Sequence, residues 1–377
     1  MTRIGFAYNQ KPEQIAPLGS KATVHSSSVE DGDLSRLDEE PPTTSDEFAE
    51  WDSAETIDAV ANALSALGEV IRLEADEDFP ELLRETKPDI VFNIAEGQNG
   101  VNREGHVPAI CEFYGIPYSG SDPFTLSLCL DKARTKETLA YHGIPTAPFV
   151  VIRDESEIAK VVKTLSLPLP LFVKPIHEGS SKGITQKNFC RTVAELERQT
   201  AFLLGTYEQP VIVEEFLPGA EFTCAVLGNG RTTKVLPIVG MNFSSLPEGA
   251  LPIYGFEAKW IWDRPEQPLD MFDCPARIDT TLARAIERVA LDAYRVLGCR
   301  DWSRIDVRLD AAGEPKIVEV NPLPGILPDP ADNSCFPKAA RAAGVSYNEL
   351  IQTCLKLAAS RQHVHLGRHF KKIRLSA

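Results

Sequence analysis

Residues 303–321 read SRIDVRLDAAGEPKIVEVN, two alternating runs separated by a short segment that contains a glycine. Such a pattern predicts a β-hairpin. Partner numbers in an antiparallel pair have a constant sum, so a turn near the glycine places Asp306 opposite Glu319 and Arg304 opposite Asn321. All four side chains then share one face of the hairpin.

The two faces of this hairpin differ in polarity. Directly opposed carboxylates repel each other, so the pair needs a positive partner. A divalent cation held by Asp, Glu and an Asn carbonyl fits the oxygen ligands that magnesium prefers. A charged outer face of a surface hairpin is the simpler alternative. The other face is apolar and carries Ile305, Val307, Leu309, Val318 and Val320. Ile317 is the exception, because it is an apolar residue on the polar side.

Composition limits the classes of function. The chain has 377 residues, 43% of them hydrophobic and 25% charged, which suits a globular protein of two or three domains. A net charge of −15 argues against a general nucleic-acid binder, although local lysines can still hold a nucleotide. The eight cysteines are scattered without C-x-x-C spacing, which favours reduced thiols over disulfides or zinc. No apolar run approaches the length of a membrane span, so we expect a cytoplasmic protein with no membrane partner.

The N-terminal part alternates strands and helices, which predicts a parallel sheet with helices on its faces. Residues 10–53 interrupt this pattern with a polar, aperiodic stretch that we interpret as a long mobile loop. Residues 93–100 leave the carboxyl end of a buried strand, where α/β sheets bind ligands; a plain polar turn is the alternative. The predicted elements are strands at 4–8, 69–73 and 88–94 and helices at 54–67 and 79–86.

The rest of the chain contains a glycine- and serine-rich loop at 176–184, directly after a predicted strand at 171–175. Its backbone N–H groups can close over phosphate, and Lys174 and Lys182 add positive charge. A flexible connector is the alternative, and the loop is not a Walker A motif. Further predictions are helices at 126–142, 156–165, 193–203, 278–297, 336–344 and 347–359 and strands at 149–152, 211–217, 221–227 and 234–239.

The C-terminal segment 361–372 is basic and contains three histidines, His363, His365 and His369. These side chains could bind a metal ion. We expect a solvated tail instead, because the segment is polar and lies at a chain end.

Taken together, the motifs of this chain resemble those of the D-alanine–D-alanine ligases, members of the ATP-grasp superfamily. The resemblance covers residues 90–359 and depends on the order of the motifs rather than on any one of them. The motifs are Leu130-Asp131-Lys132, Val173-Lys174-Pro175, Glu178-Gly179-Ser180-Ser181, Val213-Glu214-Glu215-Phe216-Leu217, Glu221-Phe222-Thr223, Glu257-Ala258-Lys259, Arg304-Ile305-Asp306-Val307 and Glu319-Val320-Asn321.

The resemblance implies an ATP-grasp fold of α/β and α+β type with an N-terminal Rossmann-like α/β domain. The expected division is an N-terminal domain at 1–122 with the insertion at about 10–53, a central subdomain with the lid loop at 123–210, a C-terminal subdomain with the metal hairpin at 211–360, and the tail at 361–377.

The resemblance also implies roles for individual residues. ATP would lie between the two subdomains, with Lys132, Lys174 and Lys259 on its phosphates and Ser180 and Ser181 in the lid. Glu214, Glu215, Phe216 and Leu217 would hold adenine and Glu221 the ribose. Asp306, Glu319 and Asn321 would bind two magnesium ions, or manganese in their place. Arg304, the backbone near Gly325 and Ser180 would take part in the chemistry.

The implied reaction is ATP-dependent formation of a C–N bond between two amino acids through an acyl phosphate, giving a dipeptide, ADP and phosphate. We expect a homodimer that acts on small molecules and not on nucleic acid. One alternative is a relative that joins another amino acid or small carboxylate to an amine in specialised metabolism. Another is a nucleotide-binding protein without turnover.

The departures from the family pattern all concern the amino-acid substrates. Glu96 stands where a histidine is usual, and Trp260 replaces a tyrosine. Ser334 is the candidate for the carboxylate of the second substrate, in a loop that is longer and richer in proline than usual. The family's N-terminal glycine-rich segment, which carries a glutamate for the first amine, has no counterpart that the sequence reveals.

Overall fold

The computed structural model describes residues 1–12, 48–263 and 269–367, apart from the side chain of Trp260. The strands are β1 (Arg3–Tyr8), β2 (Glu69–Glu74), β3 (Ile90–Asn93), β4 (Phe149–Ile152), β5 (Leu171–Pro175), β6 (Phe189–Cys190), β7 (Val211–Glu215), β8 (Glu221–Leu227), β9 (Lys234–Val235), β10 (Val239–Met241), β11 (Phe272–Asp273), β12 (Trp302–Leu309) and β13 (Pro315–Asn321). The helices are α1 (Ala54–Ser65), α2 (Phe79–Thr86), α3 (His106–Tyr114), α4 (Pro123–Leu130), α5 (Lys132–Tyr141), α6 (Glu155–Thr164), α7 (Val193–Tyr207), α8 (Thr280–Val296), α9 (Cys335–Ala342) and α10 (Tyr347–Arg361).

These strands form separate sheets that follow one another along the chain. The first is parallel, with strand order β2-β1-β3, as the alternation of strands and helices predicts. The second is antiparallel, in the order β4-β7-β5-β6. The third is also antiparallel, in the order β11-β10-β8-β12-β13, with β9 paired to β8. The α/β and α+β class predicted from the sequence is therefore confirmed.

The predicted single helix at 126–142 is wrong, because the chain breaks at Asp131 between α4 and α5. Asp131 has extended backbone, and its carboxylate accepts a hydrogen bond of 2.9 Å from the backbone N–H of Arg134. Aspartate is a strong N-cap residue for this reason. The break makes Lys132 the first residue of α5, where its backbone N–H donates to the Ile176 carbonyl at 3.3 Å.

The register of the β12–β13 hairpin is the predicted one at its polar residues. Arg304 lies opposite Asn321, and Asp306 lies opposite Glu319. The carboxylates that the sequence placed face to face are therefore neighbours across the hairpin.

The apolar side of this hairpin differs from the prediction, because the register shifts after Asp306 and Val307 pairs with Ile317. Val318 is the extra residue of a β-bulge. The bulge changes the face of the hairpin on which the neighbouring side chain of Ile317 lies. The prediction that placed Ile317 on the polar side and Val318 on the apolar side is wrong. Ile317 is buried in the core with Ile305 and Val307, while Val318 lines a cavity.

The end of the polar 10–53 stretch returns to the first sheet. The backbone N–H of Asp52 donates to the Asn9 carbonyl at 3.0 Å, and that of Lys11 donates to the Asp52 carbonyl at 2.8 Å. Trp51 Nε1 donates to the Gly97 carbonyl at 3.3 Å. The prediction of a mobile loop over residues 10–53 is therefore wrong at its two ends, and residues 13–47 lie outside the described part of the chain.

The chain end also packs more tightly than predicted. Leu366 is only 2% exposed, and the backbone N–H of Gly367 donates to Thr2 Oγ1 at 3.1 Å beside the first strand. The prediction of a solvated tail is therefore wrong at Leu366, whereas His363 and His365 are exposed as predicted. Residues 368–377, with His369, lie outside the described part.

Asp301 connects the first sheet, the third sheet and α10. Its carboxylate is fully buried and accepts hydrogen bonds from the backbone N–H of Gly120 at 2.8 Å, from Asn229 Nδ2 at 2.7 Å and from Arg361 Nη2 at 2.8 Å. Beside it, the buried indole of Trp302 packs against Phe92 of the first sheet. These contacts fix the N-terminal sheet against the third sheet.

Candidate active site

A cavity of about 330 Å³ is lined by the second sheet, the third sheet and loops that follow β1 and β3. Most of the residues that the sequence singled out line it: Glu96, Lys132, Lys174, Ser180, Ser181, Glu214, Glu215, Phe216, Leu217, Glu221, Lys259, Arg304, Asp306, Glu319, Asn321, Gly325 and Ser334. Residues that are more than two hundred positions apart in the chain thus share one cavity. The prediction for Trp260 concerns a side chain outside the described part of the structure.

The polar face of the hairpin forms one wall of this cavity. Asp306 accepts a hydrogen bond of 2.9 Å from Thr223 Oγ1 and lies 3.0 Å from Arg304 Nη2. Burial raises the pKa of Asp306; the charge of Arg304 opposes this shift, and that of Glu319 adds to it. The hairpin therefore holds a carboxylate whose negative charge is only partly compensated.

Glu319, across from Asp306, is held by a lysine from α5. Lys132 Nζ lies 3.0 Å from Glu319 Oε1 and also contacts the Glu178 carbonyl oxygen. Burial raises the pKa of Glu319, but the positive charges of Lys132 and Arg304 outweigh burial and lower it overall. Glu319 is therefore ionised beside a carboxylate that resists ionisation, and the arrangement suits an added cation.

Glu214 forms a buried cluster with two lysines. Its carboxylate contacts Lys174 Nζ and lies 3.0 Å from Lys136 Nζ. Burial raises the pKa of Glu214, but Lys136 and Lys174 dominate and lower it to about 2. Lys136, which the sequence analysis did not select, also donates to Thr146 Oγ1 at 2.8 Å.

Aromatic rings and an arginine line another wall. The rings of Phe172 and Phe189 pack against Phe216 with centroids 6.3 and 4.6 Å away, and the guanidinium of Arg308 lies 4.9 Å from the Phe216 centroid. Arg308 also donates to Glu221 Oε2 at 2.7 Å. The sequence analysis missed Arg308, although strand alternation places it on the same face as Arg304 and Asp306.

The glycine- and serine-rich loop is tied to its surroundings by several hydrogen bonds. The backbone N–H of Gly179 donates to Glu50 Oε1 at 2.8 Å, and Ser181 Oγ donates to the Tyr254 carbonyl at 3.0 Å. Ser180 and Ser181 both have positive φ, 48° and 63°, a conformation that costs non-glycine residues on the order of 1–3 kcal/mol. The loop is therefore held in one arrangement over the cavity.

Glu50 and Arg103 hold this loop from the N-terminal side. Arg103 Nη2 lies 3.0 Å from both carboxylate oxygens of Glu50 and donates to the His177 carbonyl at 2.9 Å. Sequence reasoning missed both residues. Glu50 lies in a polar stretch with no period, so only the folded chain reveals its position beside the cavity.

The proline-rich loop after β13 closes the remaining side. Ser334 Oγ accepts a hydrogen bond of 3.2 Å from the Leu327 N–H and lies 3.3 Å from the Gly325 carbonyl oxygen. Cys335, at the start of α9, lines the cavity as well, and burial raises the pKa of its thiol to about 11. Burial also lowers the pKa of Lys259, on the π-helical turn Glu257–Trp262, to about 8, with Arg304 adding to the shift.

In residues 1–12, 48–263 and 269–367, no group of three or more His, Cys, Asp and Glu side chains is arranged to hold a metal ion. Asp306 and Glu319 are two carboxylates, and Asn321 would be the third ligand. Within the same ranges, no helix combines the length and the apolar character needed to cross a membrane.

Comparison with known proteins agrees with this geometry. Residues 138–356 match the family described as the D-ala D-ala ligase C-terminus. The D-alanine–D-alanine ligase of Cupriavidus taiwanensis is 35% identical over 283 residues, which cover 75% of this chain and 79% of the relative. That of Actinobacillus pleuropneumoniae is 37% identical over 302 residues, 80% of this chain and 91% of the relative. An uncharacterised protein of Sinorhizobium fredii, y4sG, is 34% identical over 320 residues, 82% and 89% of the two chains.

A solved structure shows the same fold at lower sequence identity. The D-alanine–D-alanine ligase from Bacillus anthracis complexed with ATP superposes with a TM-score of 0.64 at 20% identity, over 96% of this chain and 99% of the other. The chain therefore belongs to the D-alanine–D-alanine ligase family, a family of ATP-dependent ligases with the ATP-grasp fold.

Proposed function

We propose that this enzyme phosphorylates the carboxylate of one amino acid with ATP and joins the resulting acyl phosphate to the amine of a second. D-alanyl-D-alanine is the first product to test, because relatives at 35% and 37% identity are named for it. One observation carries the proposal. Two facing carboxylates, Asp306 and Glu319, line the same cavity as the cationic side chains of Lys132, Lys174 and Arg304.

The cationic groups of the cavity support binding of a triphosphate. Lys132, Lys174 and Lys259 would neutralise its charge, and the backbone N–H groups of the loop with Ser180 and Ser181 would close over it. Phosphoryl transfer depends mainly on such positioning and electrostatic stabilisation. Glu214 would act through Lys174, because its carboxylate contacts that ammonium.

The aromatic wall supports binding of the nucleoside. We assign adenine to Phe216 together with Glu214 and the backbone of Glu215 and Leu217, and the ribose hydroxyls to Glu221. Arg308 would position this wall, because it packs on the Phe216 ring and pairs with Glu221.

The donor set of the hairpin fits magnesium. Asp306, Glu319 and Asn321 offer carboxylate and amide oxygens, the ligands that Mg²⁺ prefers. The raised pKa of Asp306 supports the assignment, since an added cation would relieve its repulsion by Glu319. Two Mg²⁺ ions bound there, or Mn²⁺ in their place, would neutralise charge on the transferring phosphoryl group.

The acyl-transfer step depends on the residues around Arg304. Arg304 and the backbone near Gly325 would stabilise the negative oxygen that forms when the amine attacks the acyl phosphate. Ser334 would hold the carboxylate of the second amino acid, and Glu96 and Trp260 would contact the substrates. The lid, with Ser180 and held through Glu50 and Gly179, would keep water from the acyl phosphate.

We further propose a homodimer and a cytoplasmic location. Exposed aromatic side chains on α3, α4 and α5 support self-association: Phe113, Phe124 and Tyr141 are 84%, 74% and 87% exposed. All eight cysteines are unpaired, as in a reducing compartment. Light scattering after size exclusion tests the dimer, because replacing the three aromatic residues by serine should give a monomer.

Phosphate release from ATP tests the activity itself. The assay pairs ATP and Mg²⁺ with D- and L-amino acids and small carboxylic acids, and mass spectrometry identifies the product. Phosphate release that requires an amino acid and yields a dipeptide supports the proposal. Binding of ATP without turnover for any substrate would favour a nucleotide-binding protein instead.

A further inference from the structure

One part of the cavity wall is rich in acidic side chains. Asp52 comes from the end of the 10–53 stretch, Glu96 from the loop after β3 and Glu104 from the short helix Arg103–Gly105. All three line the cavity. They lie apart in sequence, so the fold brings them together.

The nearby arginine offsets the charge of these acids only in part, because its own contacts are made elsewhere. Arg103 is engaged by Glu50 through both carboxylate oxygens and by the His177 carbonyl. In the described part of the chain, neither Glu96 nor Glu104 has a hydrogen bond or an ion pair through its side chain. Lys11 is the cation beside Asp52. Among the residues that the structure describes, these two carboxylates therefore line the cavity without a hydrogen-bond or ion-pair partner.

The electrostatic consequence appears in the pKa values. Burial, followed by repulsion from Glu104, raises the pKa of Glu96 well above its usual range. Burial and repulsion from Glu50 raise that of Glu104 to about 8. Burial raises the pKa of Asp52 to about 7, although Lys11 opposes the shift. Carboxyl groups with raised pKa values are destabilised in their ionised form, so a positively charged ligand stabilises them.

A metal ion is not the ligand that this wall suits. Among the described residues, these carboxylates do not form a group that could hold a metal. An organic cation is larger than a metal ion and does not need a closed shell of oxygen ligands. Ammonium and guanidinium groups also donate several hydrogen bonds, which unpartnered carboxylate oxygens can accept.

We infer that the amino acid bound beside Glu96 and Glu104 carries a second cationic group in its side chain, as a diamino acid does. This inference rests on the proposed function, which already supplies one α-ammonium group. That group can pair with one carboxylate, and the second carboxylate is then left for a side-chain amine. The predicted substrates are therefore ornithine or 2,4-diaminobutyrate rather than alanine.

The experiment compares substrates that differ by one amine. Ornithine is paired with norvaline and 2,4-diaminobutyrate with 2-aminobutyrate, in both enantiomers, and kcat/KM is measured with ATP and Mg²⁺. We expect the diamino acid to exceed its neutral counterpart at least tenfold. Glu96→Gln and Glu104→Gln should each lower this ratio about tenfold, while the exposed Glu85→Gln should leave it unchanged.

Failure of this inference is distinguishable from failure of the proposed function. Dipeptide formation that favours norvaline or alanine over ornithine overturns the inference and leaves the ligase function standing. If no substrate is turned over, the proposed function fails, and binding then tests the charge preference. With adenylyl imidodiphosphate present, ornithine should raise the melting temperature more than norvaline does. An equal or larger shift with norvaline overturns the inference.

Discussion

The Nζ atom of Lys132 lies 3.0 Å from Oε1 of Glu319 and joins the start of α5 to the hairpin that carries Asp306. The contact depends on the chain break at Asp131, which ends one helix and caps the next. A continuous helix through this point would have no N-terminus at Lys132. Local capping chemistry at the start of α5 thus positions a cation beside a carboxylate of the third sheet.

The first prediction concerns this hairpin. Asp306→Asn and Glu319→Gln would each remove a charged oxygen from the proposed metal site, and with it several kcal/mol of charge stabilisation. We therefore expect each variant to lower kcat by about 100-fold or more, because every 1.4 kcal/mol is a factor of ten. Phosphate release measures the effect, and circular dichroism shows whether the fold is retained. Asp310→Asn, at the turn of the same hairpin and outside the cavity, is the control with near-normal activity. Activity near wild type in either cavity variant would contradict the metal assignment.

The second prediction concerns stability. Glu214→Gln leaves the buried ammonium groups of Lys136 and Lys174 without their counter-charge, which costs about 3–5 kcal/mol for a buried pair. Urea unfolding measures this loss. Glu137→Gln is the control, because its ion pair with Arg134 is exposed to water and contributes less than about 1 kcal/mol.

Glu214 also gives a pH dependence with a definite sign. Its pKa is lowered from 4.5 to about 2 in the folded chain, so the folded state favours the ionised form. The stabilisation is fully present above the unfolded pKa and is lost as pH falls from about 4.5 toward 2. The unfolding free energy of wild type should therefore fall more steeply in this window than that of Glu214→Gln. Equal slopes would show that Glu214 is not the ionised partner of the two lysines.

The hairpin shows how much of the site the sequence could predict. The pairs Asp306–Glu319 and Arg304–Asn321 follow from alternation and a tight turn, which are local properties. The bulge at Val318 does not follow, because a register shift depends on packing against other elements. Ile317 is buried in the core with residues of α8, a contact that no short window of sequence contains.

Glu50, on the other side of the cavity, is a site residue that could not be predicted from the sequence. Its neighbours in sequence are polar and aperiodic, so nothing distinguished it from the insertion. Its importance comes from Arg103 and Gly179, which lie 53 and 129 positions away. The N-terminal sheet, by contrast, could be predicted as parallel, because strands and helices alternate regularly along the chain.

The third prediction concerns this contact between Glu50 and the lid. A Cβ atom at Gly179 would lie 2.5 Å from Glu50 Oε1, and Arg103 restrains that carboxylate. Gly179→Ala should therefore break the hydrogen bond between the Gly179 N–H and Glu50. A hydrogen bond to a charged group contributes about 1.5–3 kcal/mol, so kcat/KM for ATP should fall roughly 10- to 100-fold.

A second glycine provides the matched control for Gly179→Ala. Gly205 lies in α7 with nothing within 4 Å of an added Cβ, and alanine there should stabilise the helix by about 0.5–1 kcal/mol. Steady-state kinetics on both variants separates the two effects. If Gly179→Ala retains the wild-type kcat/KM, Glu50 does not hold the lid.

The fourth prediction concerns the buried carboxylate of Asp301. Asp301→Ala leaves Arg361 without its counter-ion and the Gly120 N–H without its acceptor, so unfolding should cost about 3–5 kcal/mol less than in wild type. Arg361→Leu together with Asp301→Ala should be less destabilising than the sum of the single changes, because the double variant leaves no charge unpaired. Urea unfolding of the four proteins measures this coupling. Asp292→Ala, on the exposed side of α8, should change the free energy by no more than about 0.5 kcal/mol. Strict additivity would show that Asp301 and Arg361 stabilise the fold independently.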